Sequence, residues 1–325
     1  MDDIDGRLVN RIQAKFPLDR EPFAALGLGL GISGEDVVRR IEDLKNRGIV
    51  RMIGPVLNAA SLGFRTTLVA AKVAVSRLES AAQVLVEHPG VGHCYLREHE
   101  FNLWSTLALP GDADIEEELR RLGELSGAEV IFDLPTVRTF KIGAYFDVGG
   151  KGCPTSDYFG GQSHSPRRDV ELSPADRTLI NELQQDLPLV QRPFDEFSTR
   201  LGIGNDEFLA KCRSLSDRGI MRRYGASINH RSVGYSANAM ICWVAPADMV
   251  QAAGETLSGL AAVSHCYERK VNRYWPYNLF SMVHSHASEE CLAFADKMSL
   301  ETGLEDFVLL FSTREYKKVR VNYQV

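Results

Sequence analysis

The sequence predicts an α+β protein made by tandem duplication. Each half is a winged helix-turn-helix followed by a ferredoxin-like βαββαβ domain. Three observations predict this. First, short motifs recur: Arg47-Gly48-Ile49 as Arg218-Gly219-Ile220, Leu62-Gly63-Phe64 as Val233-Gly234-Tyr235, and His93-Cys94-Tyr95-Leu96-Arg97 as His265-Cys266-Tyr267-Glu268-Arg269. Their spacing is 171 residues at first and drifts to 172 and then 176 through short insertions. Second, a segment rich in Gly, Ser and Pro separates the copies, from Val148-Gly149-Gly150 to Ser163-His164-Ser165-Pro166, and it has no periodicity. Third, each copy passes from helical periodicity into alternating strands. The expected boundaries are winged helix-turn-helix units at 1–63 and 173–234, ferredoxin-like domains at 64–147 and 235–325, and a linker at 148–172.

The elements follow in order. Ile4, Leu8 and Ile12 recur at helical spacing and predict a first amphipathic helix. Its counterpart begins at Ser173-Pro174-Ala175-Asp176, with Ser at the N-cap and Pro in the first turn. A second helix follows Pro22 or Pro193 and ends near Gly31 or Gly202. A third begins after Ser33 or Asn205, where Glu35-Asp36 and Asp206-Glu207 suit a helix N-terminus, and it ends at Gly48 or Gly219. The β-rich runs 49–54 and 220–225 predict a small wing in each half. Beyond them the first half reads as strand 66–75, helix 76–87, strands 91–97 and 101–109, helix 112–125 and a last strand over 136–146. That order is the split βαββαβ unit.

Composition bounds the class. At 325 residues, with 44% hydrophobic and 25% charged residues, the chain has the profile of a globular protein with several cores. No apolar run reaches the ~18–20 residues that span a bilayer. The acidic start Met1-Asp2-Asp3-Ile4-Asp5 lacks the features of a signal peptide, so a cytoplasmic location is expected. The six cysteines have neither C-x-x-C nor zinc-ligand spacing and are expected to be reduced, buried thiols. A net charge of −6 argues against a broad nucleic-acid-binding surface. The third helices are each neutral: Glu35, Asp36, Glu42 and Asp43 balance Arg39, Arg40, Lys45 and Arg47, and Asp206, Glu207 and Asp217 balance Lys211, Arg213 and Arg218. Phosphate contact calls for net positive charge, so these units read as packing domains rather than DNA readers.

The chemistry is concentrated on the strands. Alternation puts His93, Tyr95 and Arg97 on one face, and His265, Tyr267 and Arg269 on the equivalent face. Such a row supplies a proton donor, a phenol and a fixed cation, which suit a carboxylate-bearing ligand. The next strand carries Asn102, Trp104 and Thr106 on one face, and its counterpart Asn278, Phe280, Met282 and His284. Flat rings near cations suit a flat ligand, although Trp104 and Phe280 also fit a core. The halves then diverge. The first has His99 where the second has Val271 nearby, whereas the second has Trp275-Pro276-Tyr277 and His284. The last strands pair Arg138 and Lys141 with Arg314 and Lys317, and the wings add Arg51, Arg222 and Arg223.

A helix-turn-helix followed by a ferredoxin-like domain resembles the leucine-responsive regulator (Lrp/AsnC) family. A more specific resemblance rests on the run His93–Trp104 in the first half. It rests also on Ser264-His265-Cys266-Tyr267 and Trp275-Pro276-Tyr277-Asn278-Leu279-Phe280 in the second. The upstream runs Phe16-Pro17 … Pro22-Phe23 and Leu187-Pro188 … Pro193-Phe194 add to it. These resemble the two subunit types of siroheme decarboxylase, here fused into one chain as in haem d1 biosynthesis.

The resemblance implies a carbon–carbon lyase that removes CO2 from the C12 and C18 acetates of siroheme, giving 12,18-didecarboxysiroheme. It implies no external cofactor and no metal of the protein's own. The iron belongs to the substrate, with His99 or His284 as a possible ligand to it. His99, His284, Arg97, Tyr95, His93, His265, Tyr267 and Arg269 become the catalytic candidates. Lys141, Arg138, Lys317, Arg314, Asn102, Trp104, Trp275, Asn278, Arg51 and Arg222 become the substrate-binding ones. Siroheme and other haem d1 pathway enzymes are the implied partners. The two halves are expected to form a pseudo-dimer within one chain, with a homodimer of chains as a further level. The rival readings are a haem- or amino-acid-responsive regulator of the same fold and a haem chaperone.

Overall fold

The computed structural model describes residues 1–149 and 171–325. Most of the expected linker, Cys153 included, lies outside the described residues. The chain separates into two compact units. One contains Met1–Leu62, Tyr145–Gly234 and Tyr323–Val325, and the other Gly63–Ala144 and Tyr235–Asn322. The units therefore do not follow the two halves of the sequence: each pools the like domains of both copies.

The first unit holds two helical triplets. They are α1 (Asp3–Ala14), α2 (Pro22–Leu28) and α3 (Gly34–Asn46) from the first copy, and α6 (Pro174–Leu183), α7 (Pro193–Arg200) and α8 (Asn205–Asp217) from the second. Helix starts are fixed by side-chain caps. The Ser173 hydroxyl accepts from the Asp176 amide, and the Asp176 carboxylate accepts in return from the Ser173 amide. Asp2 and Asp5 do the same for α1. The helices α3 and α8 stop where Gly48 and Gly219 take φ of +66° and +72°, a conformation that costs a glycine nothing.

The wings differ from expectation. Strand β1 (Val50–Leu57) of one copy pairs antiparallel with β6 (Met221–Ile228) of the other, so one two-stranded sheet replaces two separate wings. A lone hairpin is marginal in water. Pairing across copies also lets the chain close around Tyr224, which packs against Phe16 and Phe194.

The cations of the third helices are engaged within this unit. Arg40 bridges Asp2 and Asp5, Lys45 pairs with Asp186, Arg39 with Asp36 and Arg47 with Asp43. In the second copy Arg218 grips Asp176, Lys211 pairs with Glu207 and Arg213 donates to the Leu18 carbonyl. Each of these cations thus has an acidic or carbonyl partner in the same unit.

The second unit is a closed eight-stranded barrel in the order β10-β3-β4-β2-β5-β8-β9-β7. The first copy supplies β2 (Phe64–Lys72), β3 (Val91–Arg97), β4 (Leu103–Pro110) and β5 (Val130–Ile142), with helices α4 (Leu78–Glu87) and α5 (Ile115–Ser126). The second supplies β7 (Ala237–Trp243), β8 (Val263–Arg269), β9 (Leu279–Ser285) and β10 (Phe307–Lys318), with α9 (Val250–Gly259) and α10 (Ser288–Thr302).

The last strand of the first copy starts earlier than expected, and the last strand of each copy is shared. Residues 130–135 of β5 pair with β2 of their own copy, and residues 136–142 pair with β8 of the other. Strand β10 does the same with β7 and then β3. Each crossing contains two bulges, between Thr136 and Arg138 and between Thr139 and Lys141 in β5, with the matching pair in β10. Bulges increase local twist and let a strand change sheets.

Alternation along the strands separates two environments. Outward residues such as Val69, Leu103, Ile241 and Val283 pack under the helices in two clusters, one for each copy. Inward residues of both copies, including Leu68, Trp104, Phe132, Leu134, Met240, Phe280 and Leu310, form a common inner core.

Candidate active site

The two His-Tyr-Arg rows face the inside of the barrel. Tyr95 lies opposite Trp104 and His93 opposite Thr106, and residues directly paired across strands share a face. In the second copy Tyr267 lies opposite Phe280 and His265 opposite Met282. The alternation read from the sequence is thus the one present, with Cys94 and Cys266 turned outward into the helix-side cores.

Each row ends in a buried arginine. Arg97 is 5% exposed and Arg269 9%. The Arg97 Nη1 donates to the Leu310 carbonyl at 2.6 Å. Arg269 Nη1 donates to the Leu134 carbonyl at 2.8 Å and to Thr136 Oγ1 at 3.2 Å. The Nε atoms of both are buried without a hydrogen-bond partner. Among the described residues neither guanidinium has a carboxylate partner. Burial pulls both down to about 10, so both remain cationic at neutral pH. Each also lies over the tyrosine of its own row, at 5.6 Å for Arg97–Tyr95 and 4.8 Å for Arg269–Tyr267. A cation held dry by backbone oxygens, with a donor unused, is prepared for an anion.

The surroundings of the two rows are unequal, and the strand exchange makes them so. Arg97 faces Ser312 on β10. The Ser312 hydroxyl donates to Asn238 Oδ1 at 3.2 Å, and Asn238 Nδ2 lies 3.3 Å from His284 Nδ1. Four neighbouring strands, β3, β10, β7 and β9, thus carry Arg97, Ser312, Asn238 and His284 side by side on the inner face. Further along β10, Glu315 accepts from the Tyr95 hydroxyl at 3.4 Å and Lys318 is opposite His93. Around the Arg269 row the matching positions are Thr136, Thr66 and Ala108, then Thr139 and Ile142. Here the His265 Nδ1 is 3.0 Å from Ser264 Oγ. Polar chemistry from the second copy therefore collects beside the row of the first.

His99 lies past the end of β3. Its Nδ1 accepts from the Phe101 amide at 3.1 Å, and its ring meets Trp275 edge-on at 5.3 Å. Burial lowers its pKa from the ordinary histidine value. Trp275, from the insertion peculiar to the second copy, also packs against Trp104 at 5.0 Å. His99 and His284 each have their own neighbours, one among the aromatic rings and the other on the polar ring of strands.

Several expected ligand contacts have other occupations. Trp104 and Trp275 are each 1% exposed and belong to the core, although the Trp275 Nε1 is buried without a partner. Asn102 clamps the backbone of Val73 and Asn278 that of Ala245, each through both its oxygen and its nitrogen, which ties a strand end to the adjacent strand. Lys141, Arg138, Lys317 and Arg314 are on the outward face, because the bulges shift the register of β5 and β10. Lys141 donates to the Leu260 carbonyl at the end of α9, and Lys317 to Val86 and His88 at the end of α4. Arg138 bonds Gln251, and Arg314 pairs with Glu79. These four cations hold helices rather than join the rows. Arg51 and Arg222 belong to the first unit, on β1 and β6.

Asn238, Ser312, Glu315 and Lys318 were not anticipated. Nothing in their local pattern marks them, since their meeting with Arg97 depends on which strand β10 joins. Two surface concavities, one around Met1–Asp3 and Val148 and one around Leu260–Ala262 and Phe294, involve none of these rows.

Comparison with known proteins agrees with this division of the chain. A family model described as an AsnC-like ligand binding domain matches residues 61–141 and 232–317, and one described as a siroheme decarboxylase NirDL-like HTH domain matches 5–51 and 176–222. A siroheme decarboxylase of Hydrogenobacter thermophilus is 37% identical over 98% of this chain and 94% of its own length. A siroheme decarboxylase beta subunit of Methanosarcina barkeri is 39% identical, matching 46% of this chain and 99% of itself. The crystal structure of the siroheme decarboxylase NirDL in co-complex with an iron-uroporphyrin III analogue matches at a TM-score of 0.72 and 34% identity, over 99% of this chain and 95% of that one. With identity at this level sustained from end to end, and with both kinds of domain matched twice, the chain belongs to the siroheme decarboxylase family.

Proposed function

We propose that this chain decarboxylates siroheme, removing CO2 from the acetates at C12 and C18 to leave methyl groups, as a carbon–carbon lyase serving haem d1 formation. The observation that carries this reading is Arg97, a buried cation with an unused donor, at the end of a row that also holds His93 and Tyr95. A polycarboxylate macrocycle supplies the anion such a site lacks, and an arginine meets a carboxylate in a fixed geometry.

In the proposed reaction a donor protonates the macrocycle and the bond to the carboxylate breaks. CO2 leaves, and the electron pair of that bond forms an exocyclic methylene. Protonation of the methylene then yields the methyl group, the ring proton being released. The net change per acetate is one proton taken up and one CO2 lost. The conjugated ring of the substrate is the electron sink, so no external cofactor is needed and the protein supplies orientation and protons. The donors beside Arg97 are His93, Tyr95 and His284. The productive site is assigned to the Arg97 side, where Asn238, His284, Ser312, Glu315 and Lys318 gather. The Arg269 row, among threonines, alanine and isoleucine, is assigned a scaffold role.

Anaerobic incubation of the purified protein with siroheme, followed by mass analysis, tests the reading. Loss of two CO2 per siroheme is the expected result. Binding without a change in mass would instead favour a tetrapyrrole carrier. His99→Ala and His284→Ala are expected to lower turnover sharply with the fold retained, as checked by circular dichroism.

A further inference from the structure

At the two strand crossings, a ring from each copy enters the core of the other. Phe140 of the first copy packs against the helix-side cluster of the second, and Tyr316 of the second against that of the first. Each is the extra residue of a bulge, between Thr139 and Lys141 in β5 and between Glu315 and Lys317 in β10. A bulge re-aims a side chain out of the ladder, here toward a helix of the other copy. The contacts on either side match. Arg138 bonds Gln251 and Arg314 pairs with Glu79, while Lys141 donates to the Leu260 carbonyl and Lys317 to that of His88. These pairs align α9 with α4 at a spacing of 172 residues, which makes Gly254 the counterpart of Ala82.

Gly254 lies buried in the middle of α9, where glycine is less favourable than alanine. Its presence there has a steric reason. A Cβ at this position would lie 2.6 Å from Cε1 of Phe140 and closer still to Cζ and Cε2, well inside van der Waals contact. The tip of the ring thus rests on the bare backbone of the helix. Arg138 boxes it in, with its Cζ 5.7 Å from the ring centre. The bonds of Arg138 and Lys141 to α9 and its end pin the strand on both sides of the ring. Tyr316 is aimed by a tether that Phe140 lacks: its hydroxyl donates to Glu79 Oε1 at 3.0 Å, on the turn before Ala82.

We infer that Gly254 is the socket for Phe140 and that this fit selects the pairing of unlike copies. In a pair of first copies β5 would cross onto α4, and Phe140 would meet the Ala82 methyl where Gly254 leaves room. In a pair of second copies Gly254 would face Tyr316, whose hydroxyl would find the Gln251 amide in place of the Glu79 carboxylate. The unlike pair seats both rings. Partner choice of this kind works by building a clash against the wrong partner as well as a fit to the right one. The partner that this surface fits is the other copy, and one missing methyl group makes the distinction.

The test has two readouts on the full chain. Replacing an interior helix glycine by alanine ordinarily raises stability. Gly254→Ala is expected to do the reverse and lower the thermal midpoint by about 2 °C or more. In a Phe140→Ala background the same replacement should raise the midpoint, because the ring is gone and helix propensity decides. Selection is read separately. Gly254→Ala combined with Ala82→Gly moves the socket from α9 to α4. After refolding from denaturant, native mass spectrometry should then show a larger share of interchain pairs than the wild type forms at the same concentration. A Gly254→Ala chain at least as stable as the wild type would overturn the inference, as would a loss of stability that persists without the ring. An unchanged interchain share in the combined variant would overturn the selection and leave only a packing contact.

Discussion

At the scale of single residues, Arg97 and Arg269 share one local design and differ in surroundings. Both lie deep in the barrel, bonded to strand carbonyls and lacking a carboxylate among the described residues. A buried charge without a counter-ion costs stability, and exchange for an apolar side chain of similar size is often neutral or favourable. Arg97→Met is therefore expected to leave the thermal midpoint within a few degrees while weakening siroheme binding at least about tenfold, the scale of one lost charge-assisted bond. Absorbance titration and thermal unfolding measure the two effects. Arg269→Met is expected to keep turnover. A collapse of stability with binding intact in Arg97→Met would make the arginine structural. The residue types of both rows were legible because the duplication shows them twice. That only one is joined by a histidine and an amide was not, because Asn238 and Ser312 are ordinary strand residues until β7 and β10 are paired.

At the scale of elements, the sequence located the helices and most strands to within a few residues, since period and punctuation are local. Ser173-Pro174 and the ends at Gly48 and Gly219 are examples. The last strands are the exception. The pattern suggested one ending strand per half, whereas β5 and β10 run from one copy's sheet into the other's through paired bulges. Those bulges are why Lys141 and Lys317 point outward to the carbonyls at the ends of α9 and α4 instead of inward to a ligand. Cations there complement the helix dipole. Lys141→Met and Lys317→Met are accordingly expected to lower stability by about 0.5–2 kcal/mol each and to leave CO2 release unchanged. Chemical denaturation and a turnover assay check this. Loss of activity at full stability would restore them as ligand contacts.

At the scale of the whole molecule, two unlike copies build one barrel and one shared wing sheet. Equivalent positions have diverged to suit each other. Glu21 and Arg192, 171 residues apart, pair directly, and Arg20 pairs with Asp206. Such exposed pairs are weak one by one, but in a self-pair the first would bring like charges together. The segments 1–147 and 172–325, made as separate chains, are expected to co-purify as a one-to-one complex when co-expressed. Each alone should be insoluble or self-associated, since its last strand would lack half its partners. Size-exclusion chromatography with mass detection reads the outcome, and a stable monomer of either segment would contradict it.

By itself the sequence determined the duplication, the two domain types, the neutral third helices and the chemical make-up of the rows. All of these are written in local period, charge and repetition. Which copy's row acquires the polar ring, and which cations serve helices instead of the barrel interior, was decided only by the tertiary structure. The reason is geometric. A strand's local pattern fixes the order in which its side chains alternate, but its neighbours and bulges fix which groups those side chains meet.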